Sequence, residues 1–462
     1  MQMPRFSPVK MVGLVGIIAS LLLLIGYFGI PSLMDLSTLL FRDLNDQQTD
    51  RVFPDYEQRD AIIHSYEANV REHPDSFFSL RLLSAQYLRR FREKADLEDL
   101  RRVEETARRS IELQPQKNTS SELLLASALL SQHRFQEASE VITQAQKSNP
   151  DNSRVAALNA SIQMELGNYE VAQTLLKLRS DDESIDKIQD ENSGQGAVLA
   201  RYLELTGQLD LARSRLDLAM QDEDQYYTNS AETRAWFHVR SGDLAFATGD
   251  FPVAEKRYQE ARKLFPADVA ALTGLARLYA SQHRWKSVLE VANQGIDRIP
   301  LVETLGYKAD AQRALGNPIG AADTEALIDV VAHLSQVKGI YDRALAIYYV
   351  EHQIHLPEAL AIARQEVQFR DDIYAEDTLA WAAAANGQWQ EAETAALRSV
   401  RYGTEDALLN YHQGVIAQHA GHHEVAVMHL QQALYQNAKF HSSYADDARQ
   451  RLAGLKADLK AG

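Results

Sequence analysis

The 462-residue chain contains no cysteine. That excludes disulfide staples, thiol catalysis, cysteine-ligated zinc and a thioether lipid anchor, and leaves the redox compartment open. Basic residues are also in short supply. There are 48 Lys and Arg against 64 Asp and Glu, a net charge of -16. Nucleic-acid binding is therefore not expected, because a phosphate backbone attracts an excess of Lys and Arg. Gly-rich phosphate loops, dinucleotide fingerprints, H-E-x-x-H and G-x-S-x-G do not occur. No enzyme, cofactor or small-molecule substrate is expected on that ground. Composition is otherwise that of a folded protein, 45% apolar and 24% charged.

Long apolar runs are missing except for one. Met11 to Ile30, "MVGLVGIIASLLLLIGYFGI", carries no charge, and about 20 helical residues span a hydrocarbon core of about 30 Å. A signal peptide has a shorter apolar region and a small-residue cleavage site, and "GYFGIPSLMDLS" offers no clean A-x-A, so an uncleaved anchor is expected. Arg5 and Lys10 precede the run, and a net negative flank from Asp35 to Arg51 follows it. The positive-inside rule then places residues 1–10 in the cytoplasm and the large domain outside it, periplasmic or on the outer face of the plasma membrane. Gly16 and Ser20 form a small-xxx-small pair, although ordinary small residues in an apolar helix are the plainer reading. Residues 31–54 read as a polar tether.

The rest of the chain repeats. "QHRFQEA", Gln132 to Ala138, returns as "QHRWKSV", Gln282 to Val288. Both align with "GNYEVA" at Gly167, "GQLDLA" at Gly207, "GDFPVA" at Gly249, "GNPIGA" at Gly316, "GQWQEA" at Gly387 and "GHHEVA" at Gly421. Counted from His133, the spacings are 34, 40, 42, 34, 33, 71 and 34. The 71 is two units with a blurred turn near Gln353, and counting back 34 from His133 lands at Asp99. A fixed period near 34 residues defines a stack of small units, none able to bury its apolar face alone. Gly, or His in its place, ends one helix in a left-handed conformation. Phe135, Phe251 and Trp285 pack back from the next helix. Pro115, Pro150, Pro266 and Pro300 stop that helix.

These offsets resemble the tetratricopeptide repeat family from about Asp55 to Asn437. The small eighth position falls on Ala126, Ala160, Ala200, Gly242, Ala276, Ala309, Ala380 and Gly414. The small twentieth falls on Ala138, Ala172, Ala212, Ala254, Ala321, Ala359, Ala392 and Ala426, with Val288 departing from it. The resemblance implies an all-α fold, a solenoid of about ten antiparallel helix pairs over residues 55–437, with one transmembrane helix before it. A capping helix and tail follow at 438–462. Two polar insertions, Arg179 to Gly196 and Gln221 to Thr233, break the period as loops or helix extensions; a solvated charge run is the plainer reading of the first.

The resemblance also implies a concave groove lined by the first helix of each unit at its second, fifth, ninth, twelfth and thirteenth positions. Those slots hold Trp236, Phe246, Tyr341, Tyr348, His352, Asp377, Trp381, Tyr411 and His419, and elsewhere Ser127, Ser131, Arg201, Glu204, Arg277 and Arg313. The aromatic members would either form a partner-binding patch or pack against a neighbouring unit or cap. The Lys and Asn that clamp a partner's terminal carboxylate in chaperone-binding relatives are missing from the fifth and ninth positions. Five histidines, His412, His419, His422, His423 and His429, lie close in sequence; turn usage explains them better than a metal site. The expected function is a non-catalytic, membrane-anchored scaffold that binds a protein or extended peptide, in envelope assembly or quality control. The alternative is a regulatory or accessory subunit of a membrane-bound enzyme or transporter complex.

Overall fold

The computed structural model describes residues 55–178, 193–225, 229–337 and 343–461. The apolar run 11–30, the tether, residues 179–192 of the acidic insertion, and Tyr341 lie outside the described residues. Among the described residues every regular element is helical, and no helix is long and apolar enough to cross a membrane.

A short 3₁₀ turn (Asp55–Gln58) and helix α1 (Arg59–Glu72) precede ten helix pairs. The first four are α2 (Phe77–Lys94) with α3 (Leu97–Leu113), α4 (Thr119–Ser131) with α5 (Phe135–Ser148), α6 (Ser153–Glu165) with α7 (Tyr169–Leu175), and α8 (Ser193–Leu205) with α9 (Leu209–Asp224). The middle three are α10 (Ala231–Ala247) with α11 (Phe251–Leu264), α12 (Val269–Ser281) with α13 (Trp285–Ile296), and α14 (Val302–Ala314) with α15 (Pro318–Val337). The last three are α16 (Arg343–Glu351) with α17 (Leu356–Phe369), α18 (Ile373–Ala385) with α19 (Trp389–Ser399), and α20 (Ala407–His419) with α21 (His423–Gln436). Helix α22 (Tyr444–Ala461) packs on α21 at the end.

The bend within each pair is a local hydrogen-bond motif. At His133, φ is 57°; the His133 amide donates to Leu130 O at 3.0 Å and the Arg134 amide to Leu129 O at 3.0 Å. That double bond pattern closes the helix end and needs one left-handed residue. Gly167, Gly207, Gly249, His283, Gly316, Gln353, Gly387 and Gly421 repeat the positive φ. His133, His283 and Gln353 therefore do the work of glycine. The earliest bend departs from the period: the left-handed residue is Ala95, φ 52°, not Asp99. Helix α3 runs 17 residues where α5 runs 14, and the longer helix moves the bend back.

Between the bends, every small eighth and twentieth position is buried. Small residues there let paired helices approach to about 8–10 Å. Tyr258 fills the gap left by Gly242 at one eighth position and by Gly274, two residues before the next. A Cβ on Gly242 or Gly274 would lie 2.7 or 2.5 Å from its ring. First helices touch the first helices of neighbouring units, α4 on α6, α10 on α12 and α18 on α20, so they form the inner wall.

The array then coils until its bends meet loops about 200 residues later. Thr404 Oγ1 donates to Leu205 O at 2.6 Å, the Ile373 amide to Tyr169 Oη at 3.2 Å, and Asn437 Nδ2 to Phe246 O at 2.7 Å. Tyr402 Oη donates to Glu170 at 2.8 Å, and Arg370 pairs with Glu165 at 3.2 Å while lying over the Phe135 ring. His283 Nε2 meets Ser442 O at 2.8 Å. Both His-Arg-aromatic bends thus touch the next turn of the coil. Gly167 is pressed against it so closely that a Cβ would stand 2.1 Å from Asp371 O, whereas Gly387 faces nothing within 4 Å.

Three substitutions check this packing. Gly387→Ala should cost about 1–2 kcal/mol, the left-handed backbone alone, and Gly167→Ala about 3 kcal/mol or more, because the added methyl also collides with Asp371. Equal urea midpoints for the two variants would mean that the coil contact is not made in solution. Ala392→Leu should overpack a buried crossing at about 1–3 kcal/mol; an unchanged melting temperature would contradict the register.

Candidate functional site: the inner wall of the array

The inner wall is more charged than aromatic. Along α8, α10 and α12, successive first helices are cross-linked by alternating charges. Glu204 accepts from Arg201 at 2.9 Å and from Arg240 at 2.9 Å; Asp243 accepts from Arg240 at 2.9 Å and from Arg277 at 2.7 Å. The Tyr258 hydroxyl donates to Asp243 at 2.9 Å, and the Arg277 guanidinium lies over the Phe246 ring. Burial opposes the charge on Glu204, but Arg201 and Arg240 together hold its carboxyl below the usual range. Such pairs fix the register of neighbouring units, since each Arg fork matches only one carboxylate geometry.

Further along, a cavity of about 620 Å³ opens between α12, α14, α16, α18 and α20. His133, from the previous turn of the coil, and Ser442 line it as well. Glu303 on α14, itself exposed, accepts from Tyr307 at 3.3 Å. Arg201 and Arg343 flank the Tyr374 ring at 5.3 and 5.6 Å. Asp310 meets His352 Nε2 at 2.9 Å. Burial works against a charged His352 ring, but the Asp310 carboxylate overcomes it and raises the pKa.

The aromatic residues form a second feature near the end of the array. Trp381 stacks on His412 at 4.2 Å and meets Tyr444 edge-on at 5.7 Å. Tyr411 stacks on Tyr444 at 4.8 Å, and its hydroxyl donates to Asp447 at 2.7 Å. The cap α22 supplies both partners.

Family models described as the tetratricopeptide repeat match residues 129–184, 239–297 and 378–441. The chain contains tetratricopeptide repeats. No curated protein matches it at a significant level. Similar solved structures include the APC/C hetero-tetramer Cut9–Hcn1, at 12% identity over 81% of this chain and 84% of that one, with a TM-score of 0.38. PilW, titled a type IV pilus biogenesis factor, is 19% identical over 50% of this chain and 97% of its own, TM-score 0.38. Yeast Tom70 is 13% identical over 83% and 96%, TM-score 0.33.

Among the slots of these tetratricopeptide repeats, Trp236 is 42% exposed and His419 is exposed. His352 and Trp381 are half-buried, while Phe246, Tyr348, Asp377 and Tyr411 are buried. Tyr348 packs into the core of units α14 to α19, and Asp377 receives His412 Nδ1 at 3.0 Å. Four of the five late histidines have separate surroundings: His412 with Asp377, His422 with Glu393, His429 with Asn410, and His419 stacked on Trp389. Among the described residues no group of three or more His, Cys, Asp or Glu is placed to hold a metal.

Reading aromatics alone passed over Glu303 and Glu351, which sit at the second and twelfth slots of their repeats. The slot rule itself reaches them. Arg343, Glu366 and Arg370 lie outside the slots, on and just after the pair α16 and α17, and also line the cavity. Tyr348→Ala should cost about 3 kcal/mol, whereas Trp236→Ala should change stability by about 0.5 kcal/mol or less. Equal urea midpoints for the two would place Tyr348 outside the core.

Proposed function

We propose that the chain is a non-catalytic scaffold, tethered to a membrane by residues 11–30, that receives a protein segment along the inner wall of its repeats. The observation that carries this reading is the cavity of about 620 Å³ between first helices. It is lined by side chains from five consecutive units, so one extended segment touches many units at once. The uncharged run Met11–Ile30 supports the tether, and its flanking charges support an extracytoplasmic array. A place in envelope assembly or quality control is part of the same proposal and rests on analogy with other anchored repeat arrays.

Photo-crosslinking in membranes tests this. With benzoylphenylalanine replacing Ile347 of the inner wall, the full-length chain should capture a protein; replacing the outward Leu397 should not. Capture at Leu397 alone would place the partner on the outer surface and overturn the reading. A reporter fused after Gly462 should be active only outside the cytoplasm.

A further inference from the structure

A second cavity of about 640 Å³ adjoins the first. The two share Asp310, Tyr348, Glu351, His352 and His441 in their walls, so together they form one trough along the inner side of units α12 to α21. Its closure between two turns of the coil, with His133 on one side and Ser442 on the other, suits a single extended chain rather than a folded domain.

The charges of the trough do not balance within it. The larger cavity is lined by the carboxylates of Glu303, Asp310, Glu351, Glu366, Asp377 and Asp406 against three arginines. Two of those arginines are held from behind the wall. Arg277 is bonded to Asp243 at 2.7 Å, and Arg370 to Asp372 and, at 3.2 Å, to Glu165, while Arg370 and Arg343 also approach Glu366 Oε1 at 3.5 and 3.9 Å. The smaller cavity adds Glu325 and Asp329 against Arg313 alone, which itself pairs with Glu325. Among the described residues, neither Glu303 nor Glu351 forms an ion pair with Lys or Arg; Glu351 meets only His441, at 3.4 Å.

An independent observation points into the same space. Tyr348 is 5% exposed and Glu366 is 7% exposed. Neither the Tyr348 hydroxyl nor Glu366 Oε2 has a hydrogen-bond partner among the described residues, and both side chains line the larger cavity. A buried carboxylate oxygen without a donor costs free energy that an arriving N–H group recovers.

We propose that this trough binds an extended cationic peptide, with Glu303 and Glu351 receiving its Lys or Arg side chains and Tyr348 and Glu366 Oε2 hydrogen-bonding alongside. The proposal rests on the scaffold reading above and adds the charge of the occupant.

The test uses the full chain in detergent and fluorescein-labelled peptides of alternating Gly with Lys, Gln or Glu, read by anisotropy. The Lys peptide should bind, and the Gln and Glu peptides should bind at least about tenfold more weakly. Glu303→Gln with Glu351→Gln should weaken the Lys peptide about tenfold and leave melting unchanged, because neither carboxylate holds a Lys or Arg partner. Glu98→Gln with Glu105→Gln, on the outer face of α3, controls for general attraction to an acidic chain and should change binding less than about twofold. Equal losses in the two double variants, or equal binding of Lys and Gln peptides, would overturn the proposal. Peptide carrying a crosslinker partner at Ile347 separates the readings. Capture of all three peptides there leaves the scaffold standing and removes the charge preference, and capture of none removes both.

Discussion

Most helix pairs close on two small side chains, with Val288 the exception in the pair α12 and α13, and everything else in the array depends on that close approach. Where the eighth and twentieth positions are Ala or Gly, the helices settle against each other and the next unit settles on both. A larger residue at either place would widen one unit and change its rotation against the next. Because the coil adds these rotations over many units, its later contacts depend on each crossing. The bends at Gly167 and Gly207 meet backbone at Asp371 and Gly403, about 200 residues away, only because every intervening crossing keeps its spacing.

That return contact changes what kind of solenoid this is. A stack in which each unit touches only its neighbours behaves as a one-dimensional spring. Here Thr404, Asn437, Tyr402 and Arg370 tie one turn of the coil to the previous one through hydrogen bonds and an ion pair. The inner wall is held in register twice, by the Arg201–Glu204–Arg240–Asp243–Arg277 ladder within a turn and by these ties between turns. A preformed wall binds an extended segment at less entropic cost than one that must close around it.

Much of the wall was legible in the sequence, since it follows from the repeat register. Arg201, Glu204, Arg277, His352 and Asp377 stand at slots counted from small residues, and Glu303 and Glu351 stand at slots of the same count. What the count cannot give is the direction in which a slot residue is used. Tyr348 and Tyr411 occupy the same kinds of position as Trp236, yet they are buried while Trp236 is exposed. For Tyr411 the difference is the cap α22, whose Tyr444 stacks on it. For Tyr348 it is the packing of units α14 to α19 around it.

The His-Arg-aromatic stretches show where the sequence stops. Local physics alone determined that His133 and His283 are left-handed helix ends, because a helix closed by two hydrogen bonds needs one positive φ wherever it occurs. The period, the small crossings and the Pro stops are likewise short-range and readable from spacing. Only the tertiary structure decided that the same two bends dock on Arg370 and Ser442, and that Glu366 and Arg343 face a shared trough. The two dockings come from rotation accumulated over several units, whereas Arg343 and Glu366 meet within the pair α16 and α17, 3.9 Å apart. The sequence of any one unit carries only a small share of that rotation.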